Sequence, residues 1–142
     1  METIVVGVDG SEGSEAALRW ALREARLRGA KVRVVHAWSY PEVSTYHQAV
    51  HMLEIPFAED AARLLDRVVG TASSEAEGLE LEKLVVEGEG APSLVEAARD
   101  ASMLVVGSRG LGGFVGLLLG SVSQQCAHHA TCPVVIIPPD RA

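Results

Sequence analysis

Met103-Leu-Val-Val-Gly107-Ser-Arg-Gly110-Leu-Gly-Gly-Phe-Val-Gly-Leu-Leu-Leu-Gly120-Ser121-Val-Ser123 is the stretch on which the reading of this chain turns. It begins as an apolar run with the character of a buried strand, breaks at Gly107 and Gly110, and resumes as a helix at Gly120, Ser121 and Ser123. A strand, a glycine loop and a helix start are the parts of an anion cradle. Glycine lets the backbone approach a ligand closely, and the first turn of a helix offers unpaired N–H groups and a partial positive charge. Each favourable placement is worth about 0.3–1 kcal/mol, so several donors must converge. The plain alternative is a glycine loop that merely turns the chain; the length of the loop and its arrival at a Gly-Ser helix start favour anion binding.

Upstream, Thr3 to Val8 is a short apolar strand ending at Asp9-Gly10-Ser11. A helix follows, with Ser11 or Ser14 as N-cap, Glu12 and Glu15 in its first turn, and Ala17, Leu18, Ala21, Leu22 and Ala25 as its covered face. Gly29 stops it, and Lys31 to Ala37 is a second strand. Trp38 to Ile55 shows no convincing period and is a candidate lid or partner surface. Pro56 suits the first position of a helix whose stripe of Phe57, Ala61, Leu64, Leu65, Val68 and Ala72 continues to about Glu77. Leu81 to Glu87 is a third strand, and the turn Gly88-Glu-Gly90-Ala-Pro92 enters a helix carrying Leu94, Val95 and Ala98. Met103 to Val106, Ser121 to about Ala130 and Pro133 to Ile137 complete a β-α-β-α-β-α-β-α-β succession. Strict alternation implies a five-stranded parallel α/β sheet, Rossmann-like, with right-handed crossovers and helices on both faces. Ligands of such sheets bind beyond the carboxyl ends of the strands where strand order reverses, which here places Asp9 beside Gly107.

Composition narrows the classes. At 142 residues the chain is expected to be one domain, 1–142. Hydrophobic residues make up 48% and aromatics only 4%, so the core is built from aliphatic side chains. A net charge of -7 with scattered basic residues argues against nucleic-acid binding. No segment approaches the ~20 apolar residues of a membrane span, and the N-terminus lacks a basic region followed by an apolar run; a cytoplasmic location is expected. Cys126 and Cys132 lack a zinc or redox spacing and read as reduced thiols. His47 and His51 have helical spacing without a third ligand, His128-His129 suits a helix C-terminus, and His36 reads as a hydrogen-bonded core residue. No general base stands next to a nucleophile.

The glycine stretch is not a Walker loop, because no lysine precedes Ser121. It is not the dinucleotide fingerprint either, which belongs after the first strand. Gly107-x2-Gly110-x9-Gly120-Ser121 resembles the nucleotide-binding signature of the universal stress protein family. The opening Ile-Val-Val-Gly-Val-Asp-Gly-Ser, the Val-Val-His36-Ala of the second strand, the Gly90-x-Pro92 turn and the closing Cys-Pro-Val-Val-Ile-Ile-Pro extend the resemblance over essentially the whole chain. It implies a strand order 3-2-1-4-5 and ATP at the switch point. Carried over by position, it implies Asp9 at the ribose and the Mg²⁺–phosphate region, Gly7 and Val8 on the floor, and Ala37 against adenine. Val106, Gly107, Ser108, Arg109 and Gly110 would run under ribose and phosphates, with Gly120, Ser121, Val122 and Ser123 holding phosphate. The intact glycine pattern corresponds to the ATP-binding branch.

From the residues themselves, Ser121 and Ser123 suit either capping or phosphate, Arg109 either phosphate or solvent, and Asp9 either helix capping or ligand. The functional expectation is an ATP-binding stress-response module acting by linkage. A slow Mg²⁺-dependent ATP hydrolase and a dimeric scaffold without nucleotide are the alternatives; the missing lysine and base argue against fast hydrolysis. The apolar last strand, Pro133 to Pro138, at a sheet edge is expected to pair in a homodimer, in line with the family.

Overall fold

Val, Ile and Leu dominate five short runs of the chain, and branched side chains suit a pleated surface buried on both faces. The computed structural model, which describes residues 1–109 and 119–139, forms them into β1 (Thr3–Gly7), β2 (Lys31–Trp38), β3 (Leu81–Glu87), β4 (Met103–Gly107) and β5 (Val134–Ile137). All pairs are parallel, in the order β3-β2-β1-β4-β5. The expected α/β architecture and strand order are thus present. Gly110 lies outside the described residues.

Because side chains two residues apart share a face, the strands feed two cores. Ile4, Val6, Val8, Val32, Val34 and Val105 pack with α1 (Glu12–Arg28) and α3 (Phe57–Thr71) through Leu18, Leu22, Leu65 and Val68. Val5, Val35, Leu104 and Val106 pack on the other face with α5 (Gly90–Ala97) and α6 (Ser121–His129) through Ala91, Leu94 and Cys126. Cys126 and Cys132 are unpaired thiols, and burial pushes Cys126 up to about 11.

Ser11 is the N-cap of α1: its hydroxyl accepts from the Ser14 N–H at 3.2 Å. Gly29 ends the helix in the left-handed region, at φ 65°, and the next N–H, from Ala30, returns to the Ala25 carbonyl at 2.9 Å. At the other edge of the sheet, Arg33 lies opposite Glu82 on β3 and donates to it, to Asp100 and to the Ala97 carbonyl at the end of α5. The guanidinium holds the Asp100 carboxyl below its ordinary range.

Several boundaries differ from expectation, most by a single residue at a strand or helix end. The unpatterned Trp38 to Ile55 segment contains α2 (Tyr46–Met52), which buries none of its residues and therefore shows no apolar stripe. Its signal is the Thr45-x-x-Gln48 capping pattern, in which Thr45 accepts from the Gln48 N–H at 3.1 Å. The helix expected from Pro56 to Glu77 is two, α3 and α4 (Ser73–Ala76), with Pro56 as N-cap rather than first helical residue. Its stripe breaks where Ala72, 1% exposed, turns into the core at φ -110°. Finally, Gly107 does not open the loop but closes β4, in register with Ile137. The Ser108 N–H extends that ladder to the Ile137 carbonyl at 2.8 Å, as the Leu104 N–H does to the Pro133 carbonyl at 2.9 Å.

Leu22, 1% exposed between α1 and the sheet, tests the core. Leu22→Ala is expected to lower unfolding free energy in urea titration by about 2–5 kcal/mol. A loss below about 1 kcal/mol would contradict this packing.

Candidate functional site

The β1 and β4 strands lie side by side, and their chains leave in opposite directions across the sheet, so a crevice opens beyond their carboxyl ends. Gly7, Val8 and Asp9 follow β1 into it, Val35 and Ala37 come from β2, and Val106, Gly107 and Arg109 from β4. Gly90 and Leu94 of α5 and Val122 of α6 form a wall, and Ser11 and Ser14 of the α1 start complete the cleft.

Local chemistry fixes its polar edge. The Asp9 Oδ1 accepts from the Ser11 N–H at 2.9 Å and the Ser11 hydroxyl at 2.5 Å, an Asx turn that feeds the chain into α1. The Ser14 hydroxyl accepts from the Asp9 N–H at 3.2 Å and donates to the Ser11 carbonyl at 3.0 Å. Asp9 therefore organises the start of α1, and it also lines the cleft.

The α1 start in turn lies directly against the end of β4. A Cβ on Gly107 would sit 2.9 Å from the carbonyl carbon and oxygen of Gly13, and a Cβ on Gly13 would sit 2.7 Å from the Arg109 carbonyl. These contacts are backbone on both sides. Gly107 lines the cleft, but its missing side chain is demanded by α1. On the floor, Gly7 makes room for Leu94, whose Cδ1 would lie 2.6 Å from an added Cβ.

The remaining predicted residues are placed as follows. Ser108 is buried; its carbonyl accepts from the Gly120 N–H at 2.6 Å and from the Ser123 hydroxyl at 2.9 Å. Ser123 is itself buried, and its hydroxyl also reaches the Gly120 carbonyl at 3.0 Å, so this hydroxyl faces the protein rather than the cleft. Ser121 is exposed at the first position of α6, its hydroxyl accepting from the Gln125 side chain at 2.9 Å. Gly120, the N-cap, supplies no side-chain cap. With its own N–H spent on Ser108, the N–H groups of Ser121, Val122 and Ser123 have no acceptor within the helix. His36, as expected, is a buried strand residue bonded to the Val8 carbonyl at 2.8 Å. Among the described residues no three His, Cys, Asp or Glu side chains gather as a metal site. Asp9 is thus a single carboxylate, of the kind that assists Mg²⁺ held mainly by phosphate and water.

Sequence reasoning missed Ser11, Ser14, Val35, Gly90 and Leu94 as cleft residues. The Gly90-x-Pro92 turn signalled the start of α5, but nothing local to it says that the helix returns from the outer strand to the centre of the sheet.

The family model of the universal stress proteins matches residues 1–138. The chain belongs to the universal stress protein family. A universal stress protein of Mycobacterium tuberculosis is 40% identical over 145 residues, covering 94% of this chain. The chain spans about half the length of the curated relatives it matches, 46% in that case. Among solved structures it is similar to a universal stress protein in complex with cAMP, at 28% identity and a TM-score of 0.73 with 98% of each chain covered. It is also similar to the universal stress protein from Archaeoglobus fulgidus in complex with dAMP, at 31% identity and a TM-score of 0.65, covering 96% of this chain and 98% of that one.

The crossing of α1 over β4 is testable by Gly13→Ala. Helix propensity alone would favour alanine by up to about 1 kcal/mol. The approach to the Arg109 carbonyl is expected to reverse that sign and destabilise by about 1–3 kcal/mol in chemical denaturation. A stabilised variant would show that the two backbones are not in contact.

Proposed function

We propose that this universal stress protein binds an adenine nucleotide in the cleft between β1 and β4, with ATP accompanied by Mg²⁺ as its working ligand. The observation that carries the reading is the convergence of three kinds of group at one place. An apolar floor and wall from Val8, Ala37, Val106, Leu94 and Val122 suit a flat ring. A carboxylate, Asp9, suits ribose hydroxyls or a cation, and Arg109 with the uncapped first turn of α6 suits phosphate. The solved relatives in complex with cAMP and dAMP support adenine as the base.

Adenine is read by main chain. The Val35 carbonyl accepts from the Val8 N–H at 2.9 Å, so the N–H and C=O of Ala37, two residues on, face the same way, past the point where β1 has turned aside. These groups present the donor and acceptor that the edge of adenine needs. Magnesium, when bound with the nucleotide, neutralises phosphate charge; Asp9 then bears on the cation or the ribose.

The protein works as a nucleotide-dependent stress-response module in the cytoplasm, and its output is linkage rather than turnover. Occupancy at ~100 times the dissociation constant adds about 2.7 kcal/mol to the folded state and fixes the surface around the cleft. Among the described residues no helix is long and apolar enough to cross a membrane. Purified protein, denatured and chromatographed, is expected to release close to one adenine nucleotide per chain, and added ATP to raise the unfolding midpoint. Empty protein whose midpoint ignores ATP, AMP and cAMP would overturn the reading.

A homodimer formed through β5 accompanies this function, since β5 is a partly exposed apolar edge strand. Val135→Lys is expected to give a monomer in light scattering with its circular dichroism retained. A dimer of unchanged mass would remove this edge from the interface.

A further inference from the structure

The second serine of the α6 start has a role that its position in the motif does not suggest. Ser123 is 2% exposed, and its single hydroxyl proton is shared between the Ser108 carbonyl at 2.9 Å and the Gly120 carbonyl at 3.0 Å. Ser108 is gripped from both sides. Its N–H is donated to Ile137 at the end of β5, and its carbonyl receives both the Gly120 N–H and the Ser123 hydroxyl. The end of β4 is therefore tied to the sheet edge and to the first turn of α6 through one peptide unit on either side of Ser108.

We infer that the Ser123 hydroxyl is a positioning group: buried, it locks the first turn of α6 onto Ser108 and aims the N–H groups of Ser121, Val122 and Ser123 at phosphate, while the hydroxyl itself makes no contact with the ligand. The inference rests on the nucleotide-binding reading and refines how that site holds its charge. Three N–H groups act as an anion site only while they converge, and convergence depends on the angle at which the helix meets β4. A back-bond from Ser123 to Gly120 alone would be an ordinary helical feature. The additional bond to Ser108, fifteen residues away, is what links helix to strand.

The test compares the wild-type protein with Ser123→Ala, and with Ser123→Cys as a weaker donor of similar size. Calorimetric titration uses adenosine, AMP and ATP. Ser123→Ala is expected to weaken AMP and ATP about tenfold, the scale of one hydrogen bond, while adenosine binds as before, and Ser123→Cys to fall between. In ligand-free Ser123→Ala, the amide resonances of Gly120, Ser121 and Val122 are expected to shift, because positioning acts before ligand arrives. Weakening of adenosine by the same factor would reduce Ser123 to a general structural role and overturn the inference. Lost phosphate affinity with unmoved free-protein amides would make the Ser123 hydroxyl a direct ligand and overturn it equally, as would unchanged affinity for all three. Failure of the wild-type protein to bind any of the three overturns the nucleotide reading itself, and this inference with it.

Discussion

Backbone meets backbone where the first turn of α1 crosses the end of β4, and the crossing exists because neither Gly13 nor Gly107 carries a side chain. Side-chain contacts adapt by changing rotamer, but a main-chain contact has no such freedom, so a carbon inserted here displaces a helix. That helix carries Ser11 and Ser14, which hold Asp9 in place. The orientation of Asp9 and the course of the chain at Arg109 both depend on this contact. Gly107 is thus first of all a packing residue.

This explains which parts of the molecule were legible in the sequence. The alternation of apolar runs and helical stripes places Ala17, Leu18, Ala21, Leu22 and Ala25 against the sheet because burial of one face leaves a period. The same logic fails for α2, which buries nothing and announces itself only through its Thr45 cap. It fails again at Ala72, where a stripe continues across a bend. In the site, Asp9 and Gly107 follow from topology, since each stands at the end of a central strand, whereas Arg109 is implied only by the family resemblance. Gly13 was invisible, because a glycine in a first helical turn has no period and its reason lies in a strand some ninety residues later. Leu94 was invisible for the converse reason: its apolar character is fully accounted for by the core face of α5, although the same side chain fills the space above Gly7.

The charge of the chain and that of its proposed ligand have the same sign, since the net charge is -7. Screening makes this compatible with binding, because charges beyond about 10 Å are largely damped at 0.1 M salt. What counts is the local arrangement: helix-start N–H groups, one guanidinium, and a carboxylate already engaged by hydroxyl and amide donors. Such a site derives its selectivity from where dipoles point rather than from how many cations surround it, and it stands in a protein that does not attract anions at long range.

The edge strand has a consequence for any assembly built on it. The carbonyls of Pro133 and Ile137 turn inward to β4, so by the alternation of a parallel ladder Val135 turns inward as well. Only Val134 and Ile136 then direct main-chain groups outward within β5. A second sheet docking along this margin finds two residues' worth of ladder, too little to define a register by itself. Any recognition at that margin therefore rests on the shapes of side chains more than on the ladder.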